Sequence, residues 1–486
     1  MWYTFDGINA SSDGQRLAAQ MDWPGCTRET RSGMGFKKGF IWGAATASYQ
    51  IEGAAYEDGK GLSVWDRFSH TPGKIFEGHT GDLACDHYHL MEEDLDLMAR
   101  LGIRNYRFSV SWPRLLPGGI GHINEKGAAF YDRLVDGLLE RGICPFMTLF
   151  HWDYPIELFK RGGWENPDSS RWFEELALLC AQRFGDRVKD FIPLNEPQCF
   201  IGLGHVSGEH APGLKAPLSA SIPMSHHVLT ANGKACRILR ETVRDVKLGY
   251  APCGSPAIPA SDAPDDIQAA REAYFSVPRD AERWYWNISW WSDPVMLGNY
   301  PQQGLQMYER YLPEHWESDL PLIRQKLDYY AQNIYQGGLV RAAQTQQGWE
   351  QMLHPPGIAK TASDWPVTPD CLYWGPRFLY ERYKTPILIT ENGMACTDAV
   401  SLDGKVHDTA RENYLHRYLL ALRRAAEDGV DVEGYFHWSL LDNFEWAKGY
   451  AERFGLVYVD YQTMARIPKE SAAWYQAVME SNGGIL

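Results

Sequence analysis

Long apolar runs are missing from this chain. None approaches the roughly 18 residues that cross a bilayer. Residues 1–35 are polar, are broken at Pro24-Gly25, and lack the apolar stretch of a secretion signal. These absences point away from a membrane partner and make a cytoplasmic location the expectation. Clustered cysteines are missing too. Cys26, Cys85, Cys144, Cys180, Cys199, Cys236, Cys253, Cys371 and Cys396 are scattered singly with no C-x-x-C, so neither a zinc ribbon nor a disulfide framework is indicated. Most are expected as small buried hydrophobes. Positive charge is scarce: 47 Lys and Arg face 62 Asp and Glu, a net charge of −15 that argues against nucleic acid as a partner. A Gly-rich phosphate loop is likewise wanting, and no cofactor or metal is expected.

What is abundant is tryptophan, 19 of 486 residues. Most belong in a core, but pyranose rings present flat C–H faces that stack on aromatic rings, which gives a few of them a use at a sugar site. No repeat, low-complexity tract or linker divides the chain after residue 36. Residues 36–486 are therefore expected as one domain, and 1–35 as a disordered extension.

Eight short β-rich runs punctuate that domain, at 40–44, 103–112, 144–153, 188–196, 246–253, 327–335, 386–391 and 432–441. Amphipathic stretches separate them, such as Leu90, Leu95, Met98 and Leu101, with Glu92, Glu93, Asp94 and Asp96 assigned to a solvated face. Strands alternating with helices imply parallel strands joined by helical crossovers. Eight such units predict an α/β fold, a single (β/α)8 TIM barrel whose active site lies at the carboxyl ends of the strands. Insertions at about 254–320 and 336–375 follow strands five and six; they hold Trp284, Trp286, Trp290, Trp291, Trp316, Trp349 and Trp365, and are expected to wall the pocket.

Strand endings thereby become site candidates. They include Trp42, Arg107 to Trp112, His151-Trp152-Asp153, Asn195-Glu196, Asn333 with Tyr335, Glu391 and Trp438. Two of them are glutamates that close otherwise apolar runs, which folding alone does not explain, because ionised Glu is rarely buried without a partner. Paired carboxylates facing one pocket are the equipment for cleaving a glycosidic bond: one protonates the leaving oxygen, and the other attacks the anomeric carbon or activates water. The two must hold different protonation states at one pH. Arg107 and Tyr335 are positioned by barrel order to keep Glu391 ionised, whereas Glu196 has only neutral Asn195 and Pro197 beside it in sequence.

With these residues in view, the chain resembles glycoside hydrolase family 1, the retaining β-glucosidase family, from about Phe36 to Tyr475. The likeness rests on the ordered run Phe40-Ile41-Trp42-Gly43 through Gln50-Ile51-Glu52-Gly53, then Tyr106-Arg107-Phe108-Ser109, His151-Trp152-Asp153, Asn195-Glu196-Pro197, Asn333-Ile334-Tyr335, Ile389-Thr390-Glu391-Asn392-Gly393 and His437 through Trp446. It implies Glu196 as acid/base and Glu391 as nucleophile, with Arg107 and Tyr335 orienting the latter. It further implies that Gln50, His151, Glu445 and Trp446 hold hydroxyls of the nonreducing sugar, that Asn195 holds the 2-hydroxyl, and that Trp438 floors that subsite. Trp365 is implied as the platform for the leaving group and His210 as part of the entrance; Trp152, Asn333 and Phe454 are counted with the substrate-facing set.

The chain departs from the family pattern at Pro193, Ile334 and Tyr154, which bears on fine specificity and not on the reaction. The expected function is hydrolysis of terminal nonreducing β-D-glucosyl residues by double displacement, with transglycosylation when a sugar hydroxyl replaces water. Cello-oligosaccharides, plant glucosides and aryl glucosides are all candidate substrates. The alternatives are a β-galactosidase or β-fucosidase of the same family, or a silent sugar-binding scaffold, which retention of both glutamates disfavours. Specificity for 6-phosphorylated sugars is disfavoured because Glu445 would repel a phosphate. Asp86-His87-Tyr88-His89 and His226-His227 invite a metal reading but lack a third ligand at suitable spacing, so structural roles are assigned.

Overall fold

A computed structural model describes residues 35–486; the expected extension at 1–35 lies outside the described residues but for its last position. Eight parallel strands close into a barrel: β1 (Ile41–Ala45), β2 (Asn105–Ser109), β3 (Cys144–Phe150), β4 (Asp190–Leu194), β5 (Lys247–Tyr250), β6 (Tyr329–Asn333), β7 (Ile387–Asn392) and β8 (Val432–Trp438). Neighbours in sequence are neighbours in the sheet, and β1 closes the ring against β8 with Ala45 opposite Trp438. Six strands fall within the runs read from the sequence, and β1 and β7 each run one residue past theirs, to Ala45 and Asn392. Sequences such as Asp190-Phe191-Ile192-Pro193-Leu194, buried throughout, suit strands covered on both faces, by helices outside and by side chains within.

The helix His87–Arg100 shows where the patterning was misread. Asp94 is fully buried, not solvated, because it lies three residues after Met91 and four before Met98, on the apolar face. Arg466 and His87 compensate its charge, Nε at 2.8 Å and Nδ1 at 2.8 Å, and their hydrogen bonds hold its carboxyl below the usual range against the opposing effect of burial. His226 and His227 also have protein partners: Tyr300 Oη and Asp319 for the first, the Trp164 carbonyl for the second.

The two insertions are joined. Ala257–Pro259 from the first pairs in parallel with Gly338–Ala342 from the second, and Trp349–Met352 adds an antiparallel third strand. Trp284, Trp290 and Trp291 are fully buried; Trp284 stacks on Trp291 at 5.7 Å and Trp290 Nε1 donates to Ser225 Oγ at 3.0 Å, so these rings join the hydrophobic core and do not wall the pocket. Among the described residues no helix is long and apolar enough to cross a membrane.

Candidate active site

Sharp turns at the strand ends present the polar side chains. Glu196 follows β4 with φ +47°, and Trp152 and Trp446 have φ +80° and +48°. Left-handed backbone at non-glycine residues costs about 1–2 kcal/mol each and concentrates at sites where side-chain placement overrides local preference. A ten-residue π-helical segment, Gln198–Ser207, begins directly after Pro197, a rarity that recurs at functional sites. In Glu391-Asn392-Gly393 the glycine is required by close approach, since a Cβ there would stand 1.8 Å from the Trp438 carbonyl oxygen. Asn392 ties the same turn inward, donating to the Ile334 carbonyl at 2.7 Å and accepting from Tyr435 Oη at 2.8 Å.

These ends surround a cavity of about 480 Å³ at the carboxyl face of the barrel. His151, Trp152, Glu196, Asn333, Tyr335, Trp365, Glu391, Trp438, Glu445, Trp446 and Phe454 line it, with His210. Gln50, Arg107 and Asn195 stand behind this wall and act on it through hydrogen bonds. Asp153, Trp42 and Trp112 do not belong: Asp153 is fully buried and accepts from Ser48 Oγ at 3.2 Å. Trp42 bonds to Asn482 and packs on Phe36, Phe40 and Tyr475, because β1 runs on to Ala45 and leaves Trp42 near its start. Trp112 lies beyond the end of β2, buried against Phe150, Tyr154 and Phe173.

The two carboxylates occupy unlike settings. Arg107 Nη1 donates to Glu391 Oε1 at 2.5 Å, and Tyr335 Oη to Oε2 at 2.8 Å. Glu196 instead accepts from the neutral amide of Asn333, 2.7 Å from Oε1. Burial and the adjacent charge of Glu391 push the Glu196 carboxyl up to about 7. Burial pushes Glu391 up as well, but the Arg107 charge and the Tyr335 and Arg107 hydrogen bonds oppose it. The first proton taken up by the pair therefore resides on Glu196.

A polar lattice carries these groups. Arg107 Nη2 reaches Asn195 Oδ1 at 2.6 Å, Asn333 Nδ2 reaches the same oxygen at 3.0 Å, and Thr390 Oγ1 bonds Asn333 Oδ1 at 2.7 Å. Asn195 Nδ2 lies 3.1 Å from His151 Nε2. Burial, then Arg107, holds His151 well below its ordinary pKa, so its ring is neutral. Gln50 Nε2 bonds the Phe444 carbonyl at 2.9 Å and lies 3.4 Å from Glu445 Oε2. Gln50 Oε1 and His151 Nδ1 are buried polar atoms with no partner within the protein, the condition of groups shaped to receive a ligand's hydroxyls. Burial, then the charges of Glu452, Glu391 and Glu196, raises Glu445 well above the usual carboxylate value.

Several lining residues escaped sequence reasoning: Cys199, Cys253, Ser255, Gln336, Ser363, Lys448 and Glu452. Cys253 closes the 246–253 run but reads as a small hydrophobe, and the loops that carry the others show no strand pattern. Only the place of Lys448 and Glu452 just past the Trp438–Trp446 run could have signalled two of them. Glu196, Cys199 and Cys253 also form the group suited to a metal ion found among the described residues.

A (β/α)8 barrel that sets two buried carboxylates with unlike hydrogen-bond partners into one aromatic-lined cavity defines a glycoside hydrolase. Residues 33–484 match the description of glycosyl hydrolase family 1, and the chain belongs to that family. It is 45% identical over 453 residues to beta-glucosidase A of Acetivibrio thermocellus, covering 92% of this chain and 99% of that one. A structure of the beta-glucosidase from Thermotoga maritima in complex with deoxynojirimycin superimposes with a TM-score of 0.85 at 43% identity, covering 92% of this chain and 99% of that one. The same enzyme in complex with galacto-hydroximolactam gives a TM-score of 0.85 at the same identity and coverage.

Proposed function

We propose that the protein hydrolyses terminal nonreducing β-D-glucosides with retention, through a covalent glycosyl-enzyme. The Glu391 carboxylate attacks the anomeric carbon while Glu196 gives its proton to the departing glycosidic oxygen. The glycosyl ester then neutralises Glu391, which removes the neighbouring charge that helped to raise Glu196. Its pKa falls, and it takes a proton from the water that attacks the ester and restores Glu391. The observation that carries this reading is the asymmetry of partners: a cation and a phenol on Glu391, a neutral amide on Glu196.

In this reading Asn195 faces the 2-hydroxyl, His151 and Gln50 the 3-hydroxyl side, and Glu445 the 4- and 6-hydroxyls, over the floor of Trp438. Trp365 and Phe454, 6.2 Å apart, form the aromatic side where the leaving group departs. Binding of a galacto-configured inhibitor by the Thermotoga relative favours tolerance at the 4-hydroxyl, so β-galactosides and β-fucosides are proposed as slower substrates. Water and sugar hydroxyls compete for the ester, and transglycosylation rises with acceptor concentration.

The test is kcat/KM on aryl β-glucoside, β-galactoside, β-fucoside and cellobiose, with the product anomer followed by NMR. Glucoside and cellobiose hydrolysed with initial β-glucose are expected. Initial α-glucose would overturn the double displacement.

A further inference from the structure

Cys199 and Cys253 take no part in the proposed reaction, yet they stand beside one of its carboxylates. Cys199 is three residues past Glu196, on the first turn of the π-helical segment, and its N–H donates to the Glu196 carbonyl at 2.9 Å. Cys253 lies just beyond β5. Gln198 clamps its backbone from both sides, Nε2 donating to the Cys253 carbonyl at 2.9 Å and Oε1 accepting from its N–H at 3.3 Å. Both thiols face the cavity, with their sulfurs 3.8 Å apart. Each sulfur and a Glu196 carboxylate oxygen lie within 4.8 Å of one another.

That spacing discriminates between two fates for a thiol pair. A disulfide needs sulfurs at about 2.05 Å, so the two thiols, 3.8 Å apart, would have to close by nearly 2 Å. Tetrahedral zinc with Zn–S near 2.3 Å sets its two sulfurs about 3.8 Å apart, the separation already present. A Zn–O bond of about 2.1 Å then asks for roughly 3.6 Å between sulfur and carboxylate oxygen, inside the 4.8 Å that spans the three ligand atoms.

We propose that Cys199, Cys253 and Glu196 form a three-ligand site for a thiophilic divalent cation such as Zn²⁺, with the fourth position open to the cavity. Two Zn–S bonds and one Zn–O bond form as two thiol protons and the Glu196 proton pass to solvent. Occupancy engages the Glu196 carboxylate, so the cation acts as a reversible inhibitor; this consequence, unlike the site itself, rests on Glu196 being the proton carrier.

The enzyme is freed of metal with a chelator and titrated with Cd²⁺, reading the thiolate-to-metal charge-transfer absorption. One equivalent per chain is expected for the natural sequence, with the band abolished in Cys253→Ser and, independently, in Cys199→Ser. Zn²⁺ should then slow aryl β-glucoside turnover at least about tenfold, reversibly with chelator, with each variant compared against its own metal-free rate. No band, or a band that survives both substitutions, overturns the site. A band that depends on both cysteines while saturating Zn²⁺ leaves turnover untouched upholds the site and counts against Glu196 as the proton carrier.

Discussion

Two buried clusters of ionisable groups lie close together at the end of the barrel, and they are built on opposite terms. Behind the Trp438–Trp446 segment, Arg411, Arg453 and Lys469 meet Asp398, Asp408 and Asp442. Arg411 and Lys469 each reach Asp398 at 2.6 Å, Lys469 and Arg453 each reach Asp442 at 2.7 Å, and Arg411 also pairs with Asp408. Three cations balance three carboxylates, and Asp398 is held below the usual carboxylate range by Arg411 and Lys469 despite its burial. The cavity holds Glu196, Glu391 and Glu445, and of these Glu391 takes the ion pair with Arg107. Glu196 and Glu445 are pushed up instead of down. A buried charge that is matched holds the fold; one left unmatched stores a proton, and that stored proton is what the chemistry uses.

The contrast breaks most visibly at Glu391, the proposed nucleophile. Glu391→Ala should lower aryl β-glucoside turnover by about 10⁵-fold or more, and azide should restore product as the α-glycosyl azide, detected by NMR. Retained activity would show that another group attacks the anomeric carbon.

Glu196→Gln should lower kcat/KM on cellobiose by up to about 10⁴-fold, and far less on a dinitrophenyl glucoside whose leaving group needs no proton. The wild-type rate should fall as pH rises through about 7, where Glu196 loses its proton, and the variant should lack that limb. The same substitution should stabilise the fold. A carboxyl raised in the native state contributes stability that is present below its unfolded value, about 4.3, and is lost as pH rises through its native one. At about pH 8 the variant should therefore unfold later, by on the order of 2 kcal/mol, with no gain at about pH 4. Equal melting curves at both pH values would remove the distinction between the clusters.

Arg411→Met, which strands Asp398 and Asp408, should cost about 3–5 kcal/mol in denaturant unfolding. Whatever folds should keep the activity limb near pH 7. The sign reverses relative to Glu196: a lowered carboxyl such as Asp398 gives stability above its unfolded value, about 3.9, that disappears as pH falls through its native one. The smallest effect is expected for Tyr335→Phe, which removes one hydrogen bond to a charged acceptor, worth about 1.5–3 kcal/mol. Turnover should drop by roughly 10–100-fold with the fold unchanged by circular dichroism.

The barrel was legible because each strand is an apolar run ended by a polar group, a pattern that survives without knowledge of any partner. Glu196 and Glu391 stood out for the same reason, and barrel order alone put Arg107 and Tyr335 next to Glu391. Trp42 and Trp112 were misplaced because strand ends read from composition slip by a few residues, enough to exchange a site residue for a core one. Asp94 looked solvated because charge is a poor guide to face when Arg466, far away in sequence, supplies the counter-charge. The tryptophans of the insertions divided between core and cavity according to how the insertions pack on each other. The nearness of Cys199 to Cys253 belongs to tertiary structure alone, since two different βα loops bring them together.

The small sheet that joins the insertions has a consequence for how this enzyme can be altered. Of the residues that line the cavity, Ser255 and Trp286 come from the first insertion, and Gln336, Ser363 and Trp365 from the second. The pairing of Ala257 with Gly338 and Pro259 with Val340 makes the two segments one part. A loop grafted singly from a relative would arrive without its mate, so leaving-group preference should be transplantable only as a matched pair of segments.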